Sequence, residues 1–279
     1  EGVFLGDIFK AYQGMQLDKE SDNAFDFALY EDELLKGESY KKAEDFFDHL
    51  VGGLNVSSFM NSATPDNVPS GTVDVHIPSK DINAYCSTNG VTVGSYLQAA
   101  FALTLSMFTR EEQPLYLTIS AGRGAHAGLM HSVGMFVKTL PVTSKIEKGI
   151  TSVGYTKQMH EVLQQTYAQD VYPYTHLVER HGIRAEIMFI YQGGLMEGTA
   201  PEGAEIIPLD LDTVKFPLDV TAYPDGDNFA IHIEYDGMKY SKYDMQLFVN
   251  AIGNVAENLA KANLLSEVSL LSPAEESTT

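Results

Sequence analysis

A histidine, an aspartate and a glycine stand close together near the end of the 279-residue chain, in the segment HIEYDG. His232, Asp236 and Gly237 fit the spacing H-x-x-x-D-G. A histidine held in such a loop is a candidate general base, because its imidazole titrates near neutral pH. The segment is therefore the first place to look for a catalytic site.

The residues around the histidine nevertheless favour a plain β-strand. Phe229, Ile231, Ile233 and Tyr235 alternate with polar residues, as expected when one face of a strand is buried. This alternation puts His232 on the opposite face. The sequence predicts that HIEYDG imitates a catalytic motif while forming ordinary sheet.

The charge of the chain disfavours several kinds of partner. It has 18 Lys and Arg residues against 38 Asp and Glu residues, a formal net charge of −20. Nucleic acids and anionic membrane surfaces attract an excess of cations, so we expect neither as a partner. No apolar run approaches the ~20 residues that a membrane-spanning helix needs. The single cysteine, Cys86, excludes an internal disulfide and suits a reducing compartment, so we expect a cytoplasmic protein.

Other common site chemistries lack their motifs. The histidine pairs His126/His131 and His176/His181 are spaced five apart, which does not place both rings on one helical face, and no H-E-x-x-H or cysteine pair accompanies them. No G-x-S-x-G segment is present, and the glycines of residues 121–128 lack the lysine of a phosphate-binding loop. We therefore expect no metal site, no serine nucleophile and no nucleotide site.

Hydrophobic periodicity divides the chain into helices and strands. A first helix ends at Gly14 and a short one at Gly90, and the longer predicted helices cover 24–36, 38–51, 92–110, 150–168 and 242–261. The predicted strands are 72–77, 114–120, 135–143, 185–192, 216–224 and 228–236. Because strands and helices alternate without a clean βαβ repeat, the pattern predicts an α/β (α+β) fold, a mixed sheet flanked by helices.

Five stretches, in order, resemble the condensation domains of nonribosomal peptide synthetases. SAGRGAHAGLMHSVGMFVKTLPV (120–142) is similar to the S-G-R…V-G-x-F-V-N-T-L-P segment of that family. The other four are FALYEDELLKGESYKKAEDFFDHLVGG (27–53), QDVYPYTHLVE (169–179), IMFIYQG (187–193) and LLSEVSLLSPAEE (264–276). Together they cover essentially the whole chain.

The resemblance implies a fold of two lobes, each like chloramphenicol acetyltransferase, with a tunnel between them. It also implies a reaction in which an amine attacks a thioester, both held on phosphopantetheine arms of carrier proteins, with no metal and no bound coenzyme. On this basis we expect four parts in the chain. They are the last helices of the N-terminal lobe (1–53), an inter-lobe linker (54–71), the C-terminal lobe (72–265) and the start of a linker to an adenylation domain (266–279).

The family's catalytic motif, H-H-x-x-x-D-G, lies on a strand-to-helix turn. MKYSKY separates Gly237 from the next predicted helix, whereas Gly2 is followed at once by a helical pattern. Gly2 therefore matches the glycine of the motif, and Glu1 stands in the place of its aspartate as a conservative replacement. The resemblance places the histidine pair before residue 1, and we expect this chain to be inactive alone.

Further site residues follow from the resemblance. Arg123 would orient the catalytic loop by pairing with the motif carboxylate from across the lobe interface. Candidates for lining the tunnel are Gly134, Phe136, Lys138 and Thr139. Lys138 stands where the family has asparagine, which adds a positive charge at that place.

The resemblance also implies partners: carrier proteins, the N-terminal lobe and a downstream adenylation domain. A lobe without its partner exposes apolar surface, so we also expect self-association. Two alternatives stay open. One is a stand-alone, trimeric acetyltransferase-like enzyme that uses His232 and Asp236, and the other is a non-catalytic module that docks carrier proteins.

Overall fold

The computed structural model describes residues 2–17, 23–123, 129, 132–184, 186–193 and 213–272. The helices are α1 (Gly2–Tyr12), α2 (Ala24–Leu34), α3 (Glu38–Val51), α4 (Ser79–Asn89), α5 (Val93–Thr109), α6 (Ser152–Ala168), α7 (Tyr174–His181) and α8 (Lys242–Leu259). The strands are β1 (Gly71–Pro78), β2 (Leu115–Ser120), β3 (Lys138–Thr143), β4 (Ile187–Tyr191), β5 (Leu218–Asp225) and β6 (Asn228–Tyr235).

The six strands form one mixed sheet in the order β1-β6-β5-β4-β2-β3. β4 pairs in parallel with both β2 and β5, and the other neighbours are antiparallel. Ile187, Met188 and Phe189 of β4 are all buried, as expected for an apolar strand covered on both faces. The predicted mixed sheet flanked by helices is confirmed.

The larger core lies on one face of the sheet, beneath α5 and α8. In α5 every residue from 95 to 105 is buried, in agreement with its apolar sequence on most sides. α8 starts at its predicted cap, where Ser241 Oγ accepts a hydrogen bond from Asp244 N at 3.2 Å. Among the described residues no single helix is long and apolar enough to span a membrane; α4 and α5 reach that length only as a pair bent by 108°.

The second core lies on the other face of the sheet, beneath α3 and α7. Phe47 and Val51 of α3 pack there with Leu117, Leu140 and Met188 of the sheet. The sequence pattern did not indicate α7, because a helix of eight residues is too short to show a helical period. Its ends are nevertheless marked in the sequence, by Pro173 before it and by Gly182, at φ 68°, after it.

One strand begins later than the pattern predicts. Residues 135–137 belong to the predicted strand 135–143, but β3 starts at Lys138. The backbone of Phe136 instead passes so close to Gly122 that a Cβ there would lie 1.8 Å from the carbonyl oxygen of Phe136. Gly122 also has φ 64°, which favours glycine. The loop thus crosses the end of β2 rather than extending the ladder.

The segment predicted as an inter-lobe linker is bound to β2 and to α5. The backbone amide of Ser57 donates to Leu115 O at 2.9 Å, and the amide of Leu115 donates to Ser57 Oγ at 2.9 Å. Phe59 stacks on Phe108 with ring centroids 5.7 Å apart. The domain boundaries themselves stay a prediction.

Charged side chains join α3 to α7 above the second core. Asp48 accepts from Arg180 Nε at 2.7 Å and Nη2 at 2.5 Å, and lies 2.9 Å from His181 Nε2. Glu44 lies 3.3 Å from Arg180 Nη1. The bonds from Arg180 lower the pKa of the Asp48 carboxyl, because they favour its charged form.

The bonds between Asp48 and Arg180 predict a pH-dependent loss of stability for Asp48→Asn. Because the pKa of Asp48 is lower in the folded chain, its carboxylate stabilises the folded state fully at pH values above the unfolded pKa of about 3.9. This stabilisation is lost as the pH falls through the folded pKa. We expect the melting temperature of the variant to lie roughly 2–4 °C below that of the unchanged chain at neutral pH.

The control is Asp45→Asn, since Asp45 is an exposed carboxylate on the same helix. Calorimetry from pH 7 to pH 3 should show the deficit of Asp48→Asn shrinking below pH ~4, where the carboxyl group of the unfolded chain begins to protonate before that of the folded chain. A deficit that persists unchanged at pH 3, or one equal to that of Asp45→Asn, would contradict the assigned role of the carboxylate.

Candidate functional site

The histidine of HIEYDG lies in the middle of β6. Its cross-strand neighbours are Asp74 of β1 and Thr221 of β5. Ile231 and Ile233, on either side of it in the chain, are fully buried, whereas His232 is partly exposed on the opposite face. The predicted strand alternation is confirmed, and it separates the imidazole from the core.

Asp236 and Gly237 form the turn that follows β6. Asp236 Oδ1 accepts a hydrogen bond from Met238 N at 2.9 Å, and the Asp236 carbonyl accepts from Lys239 N at 3.0 Å. The backbone amide of Asn67, in the linker, donates a hydrogen bond to the carbonyl oxygen of Gly237 at 2.8 Å. A Cβ on Gly237 would lie 2.6 Å from both Cγ2 and the carbonyl oxygen of Val68. The two residues thus have structural roles, since Asp236 shapes the turn and Gly237 admits the linker.

Arg123 holds the loop that follows β2. Its Nη1 donates to the carbonyls of Leu129 and Ser132, the latter at 2.9 Å. Its guanidinium lies 4.7 Å from the ring centroid of Phe136, which is a cation–π distance. The side chain of Arg123 therefore contacts three residues of this loop.

The four candidates for lining a tunnel occupy different environments. Phe136 is buried edge-on against Phe27 of α2, with ring centroids 5.1 Å apart, and Lys138 forms an ion pair with Glu31 of α2. Gly134 is exposed, and Thr139 is partly buried in the β2–β3 ladder. The structure brings Arg123, Phe136 and Lys138 into one cluster at α2, while the other two lie at its edge.

The two motif residues proposed at the start of the chain are Glu1 and Gly2, and the structure describes only the second of them. Gly2 is the first residue of α1, as the helical pattern predicts. Glu1 lies outside the described residues. The predicted roles of both residues, and of the four tunnel candidates, stay predictions.

Sequence reasoning missed three residues that complete the cluster. Phe27 and Glu31 are one helical turn apart on α2, and Asp170 accepts a hydrogen bond from Ser120 Oγ at 2.8 Å at the end of β2. The only available signal was the alternation in M-F-V-K, which puts Phe136 and Lys138 on one side of an extended segment. Nothing in the pattern identifies α2 as the element that they meet.

The described part of the chain has no arrangement of side chains suited to a metal site or to a cysteine nucleophile. Within it, no three His, Cys, Asp or Glu residues are placed to hold a metal ion. Cys86 is buried in α4, and burial raises the pKa of its thiol to about 11, so it is not activated as a nucleophile. A cavity of about 390 Å³ between α5 and the loop before α6 shares no residue with the cluster.

Comparison with known protein families finds a match along nearly the whole chain. Residues 1–278 match the family described as "Condensation domain". The chain belongs to the condensation-domain family. The resemblance read from residues 120–142 and four other stretches is confirmed.

The relatives of this condensation-domain chain are peptide synthases. It is 24% identical over 275 residues to bacitracin synthase 1 of Bacillus licheniformis, covering 92% of this chain and 5% of that protein. It is 25% identical over 294 residues to tyrocidine synthase 3 of Brevibacillus parabrevis, covering 98% of this chain and 4% of that protein. The chain thus spans only a small part of the length of these relatives.

Solved structures share the fold. A four-domain nonribosomal peptide synthetase, holo-AB3403 bound to AMP and glycine, matches with a TM-score of 0.81 at 15% identity, over 99% of this chain and 24% of that one. The X-domain from teicoplanin biosynthesis matches with a TM-score of 0.80 at 15% identity, over 97% and 68%. The predicted condensation-domain architecture is confirmed.

The turn after β6 yields a prediction about Gly237→Ala. The added methyl group meets the backbone of Val68, which cannot rotate away, so we expect a loss of roughly 1–3 kcal/mol in the free energy of unfolding. Urea denaturation measures it. Gly6→Ala serves as the control, because a Cβ there meets nothing within 4 Å. Equal stability of Gly237→Ala and Gly6→Ala would show that the linker does not lie against the turn.

Proposed function

We propose that this chain forms part of a nonribosomal peptide synthetase condensation domain, which makes amide bonds between aminoacyl or peptidyl thioesters on carrier proteins. The observation that carries the proposal is the family match along residues 1–278. Named relatives that synthesise peptides support it. In the reaction, the acceptor amine attacks the thioester carbonyl, the C–N bond forms, the C–S bond breaks, and the pantetheine thiol leaves.

We propose that the base near the amine is not His232. That imidazole lies in mid-strand, and Asp236 and Gly237 serve the turn and the linker. The 279 residues contain no His-His pair before an Asp-Gly or Glu-Gly. The imidazole would then come from the N-terminal lobe, with Glu1 and Gly2 at the end of its motif, and this chain would be inactive alone.

Arg123 has a positioning role in the proposal. A catalytic loop that meets the second lobe requires a rigid surface, and Arg123 holds Leu129 and Ser132 by carbonyl bonds and Phe136 by a cation–π contact. Pairing with the motif carboxylate from across the interface would add charge-assisted bonds of the strong kind. The substrates would arrive on phosphopantetheine arms, and this chemistry requires no metal and no bound coenzyme.

Exposed apolar side chains support the proposed partners. They lie on α1, on α2 and in the loop before β3, and include Phe4 (53% exposed), Phe25 (84%), Leu29 (71%) and Met135 (89%). Surfaces of this kind mark interfaces. We propose that the rest of the N-terminal lobe covers this surface, and that carrier proteins and a downstream adenylation domain are the other partners.

The function is tested in the parent synthetase, with its carrier proteins loaded with aminoacyl groups and the product detected by mass spectrometry of the carrier-bound thioester. We expect an amide-linked product, a rate reduced roughly 10- to 100-fold in Arg123→Ala, and an unchanged rate in His232→Ala. The isolated 279-residue chain should give no product. Product from the isolated chain that vanishes in His232→Ala would instead support the stand-alone acetyltransferase-like alternative.

One structural comparison supports keeping the docking alternative in the same test. A teicoplanin X-domain solved in complex with OxyB matches this chain with a TM-score of 0.78 at 15% identity, over 97% of this chain and 66% of that one. A parent protein that binds loaded carrier proteins but releases no amide product would favour a non-catalytic docking module. Amide product would exclude it.

The exposed apolar surface predicts self-association of the isolated chain. We expect light scattering to show an average mass that rises with concentration. Leu29→Ser should reduce this rise, because Leu29 is exposed on α2, whereas Thr72→Ser, at an exposed site on β1, should not. A constant monomer mass at all concentrations would contradict the prediction.

A further inference from the structure

Helix α2 is attached to the rest of the chain through a small contact region of its own. Phe27 is the one buried residue of this helix. It packs with Leu129 and Phe136 in a cluster separate from both cores of the sheet, and Tyr30 packs against that cluster. The position of α2 therefore depends on what the loop before β3 presents to it.

Two cations enclose the aromatic pair at the centre of this region. The guanidinium of Arg123 lies over Phe136 at 4.7 Å, Phe136 meets Phe27 at an interplanar angle of 87°, and the ammonium of Lys138 lies 5.7 Å from the Phe27 centroid. Edge-to-face rings and cations over ring faces are favourable arrangements. The stack links β2, the loop, α2 and β3 in that order.

The stack ends in an ion pair between Lys138 and Glu31, two residues 107 positions apart in the chain. Their side chains are only 22% and 31% exposed. Burial lowers the pKa of the Lys138 ammonium, and the carboxylate of Asp170 opposes that shift. Removing one partner of a partly buried pair leaves the other charge with its desolvation cost uncompensated.

The same ion pair fixes which side chains the loop turns outward. Phe136 and Lys138 face α2, while Met135 and Val137, which alternate with them, are 89% and 48% exposed. Moving the inward residues would move the outward ones, because neighbouring side chains of an extended segment point to opposite sides. The ion pair thus controls an exposed surface that it does not itself form.

We propose that Glu31 and Lys138 are a positioning pair, which locks α2 to the start of β3 so that α2 and residues 132–137 behave as one body during amide-bond formation. The effect on the reaction rests on the proposed function. The mechanical coupling does not. Lys138, which replaces an asparagine of the family pattern, is on this view matched to Glu31 of the same chain.

Hydrogen–deuterium exchange on the isolated chain tests the coupling. In Glu31→Gln and Lys138→Met we expect amide exchange of both α2 and residues 132–137 to rise roughly tenfold together, and in the exchanged pair Glu31→Lys/Lys138→Glu to return to within about threefold of the unchanged chain. Asp32→Asn is the matched control. It removes an ion pair between α2 and Lys36, in the turn that follows the helix, but one whose side chains are 62% and 70% exposed.

Unchanged exchange in both single variants, or an exchanged pair no better protected than either of them, would overturn the coupling. If Glu31→Gln fails to fold, Lys138→Arg keeps the proposal testable, because it retains the charge and should keep the protection. A rise in α2 alone, with residues 132–137 unaffected, would also count against the proposal.

Rates in the parent synthetase test the effect on the reaction. We expect kcat for amide formation to fall roughly tenfold in Lys138→Met, with KM for the loaded carrier within about twofold, and the exchanged pair to recover most of the loss. Equal kcat in Lys138→Met and the unchanged protein would refute the positioning role. Absence of amide product from the unchanged parent would defeat the proposed function alone, and the exchange result would still decide the coupling.

Discussion

The burial of α5 against the sheet is the interaction on which the rest of the structure depends. Residues 95 to 105 have no exposed side, so this helix requires a sheet on one side and other helices around it. Its Phe101 meets Tyr116 and Phe189 of the sheet and Phe248 of α8. With this face of the sheet occupied, α3 and α7 pack on the other face. The Arg123–Phe136–Lys138 cluster forms at the end of β2 and the start of β3.

Much of this architecture could be predicted because it is encoded locally. The alternation of Phe229, Ile231, Ile233 and Tyr235 predicts both the strand and the outward histidine, and each follows from the twofold period of a strand. Ser241 and Asp244 predict the start of α8, since a capping interaction spans only a few residues. α7 was missed because its eight residues rely on packing of Leu177 in the core rather than on a visible period.

The candidate site could be predicted only in part, because its decisive contacts join distant parts of the chain. The alternation of residues 135–138 shows that Phe136 and Lys138 share a side, but no local pattern reveals Phe27 and Glu31 as their partners. HIEYDG shows the converse, because its letters match a catalytic motif while the structure places His232 in β6 and Asp236 in the turn after it. Gly237 is glycine because Val68 lies against it, a fact about a residue far earlier in the chain.

The attachments of α3 and of the linker after it hold this part of the chain against the sheet and its neighbours. α3 is fixed to the sheet by buried Phe47 and by the bonds of Asp48 to Arg180, and the linker after it is fixed at Ser57 and Asn67. Neither can swing without breaking these contacts, so α3 follows the sheet in any rigid-body motion. α2, on the other side of Gly37, is attached at a different place, through Phe27 and Glu31 to Phe136 and Lys138. Both helices are therefore held to the elements around the sheet through independent contacts, although the resemblance assigns them to the N-terminal lobe.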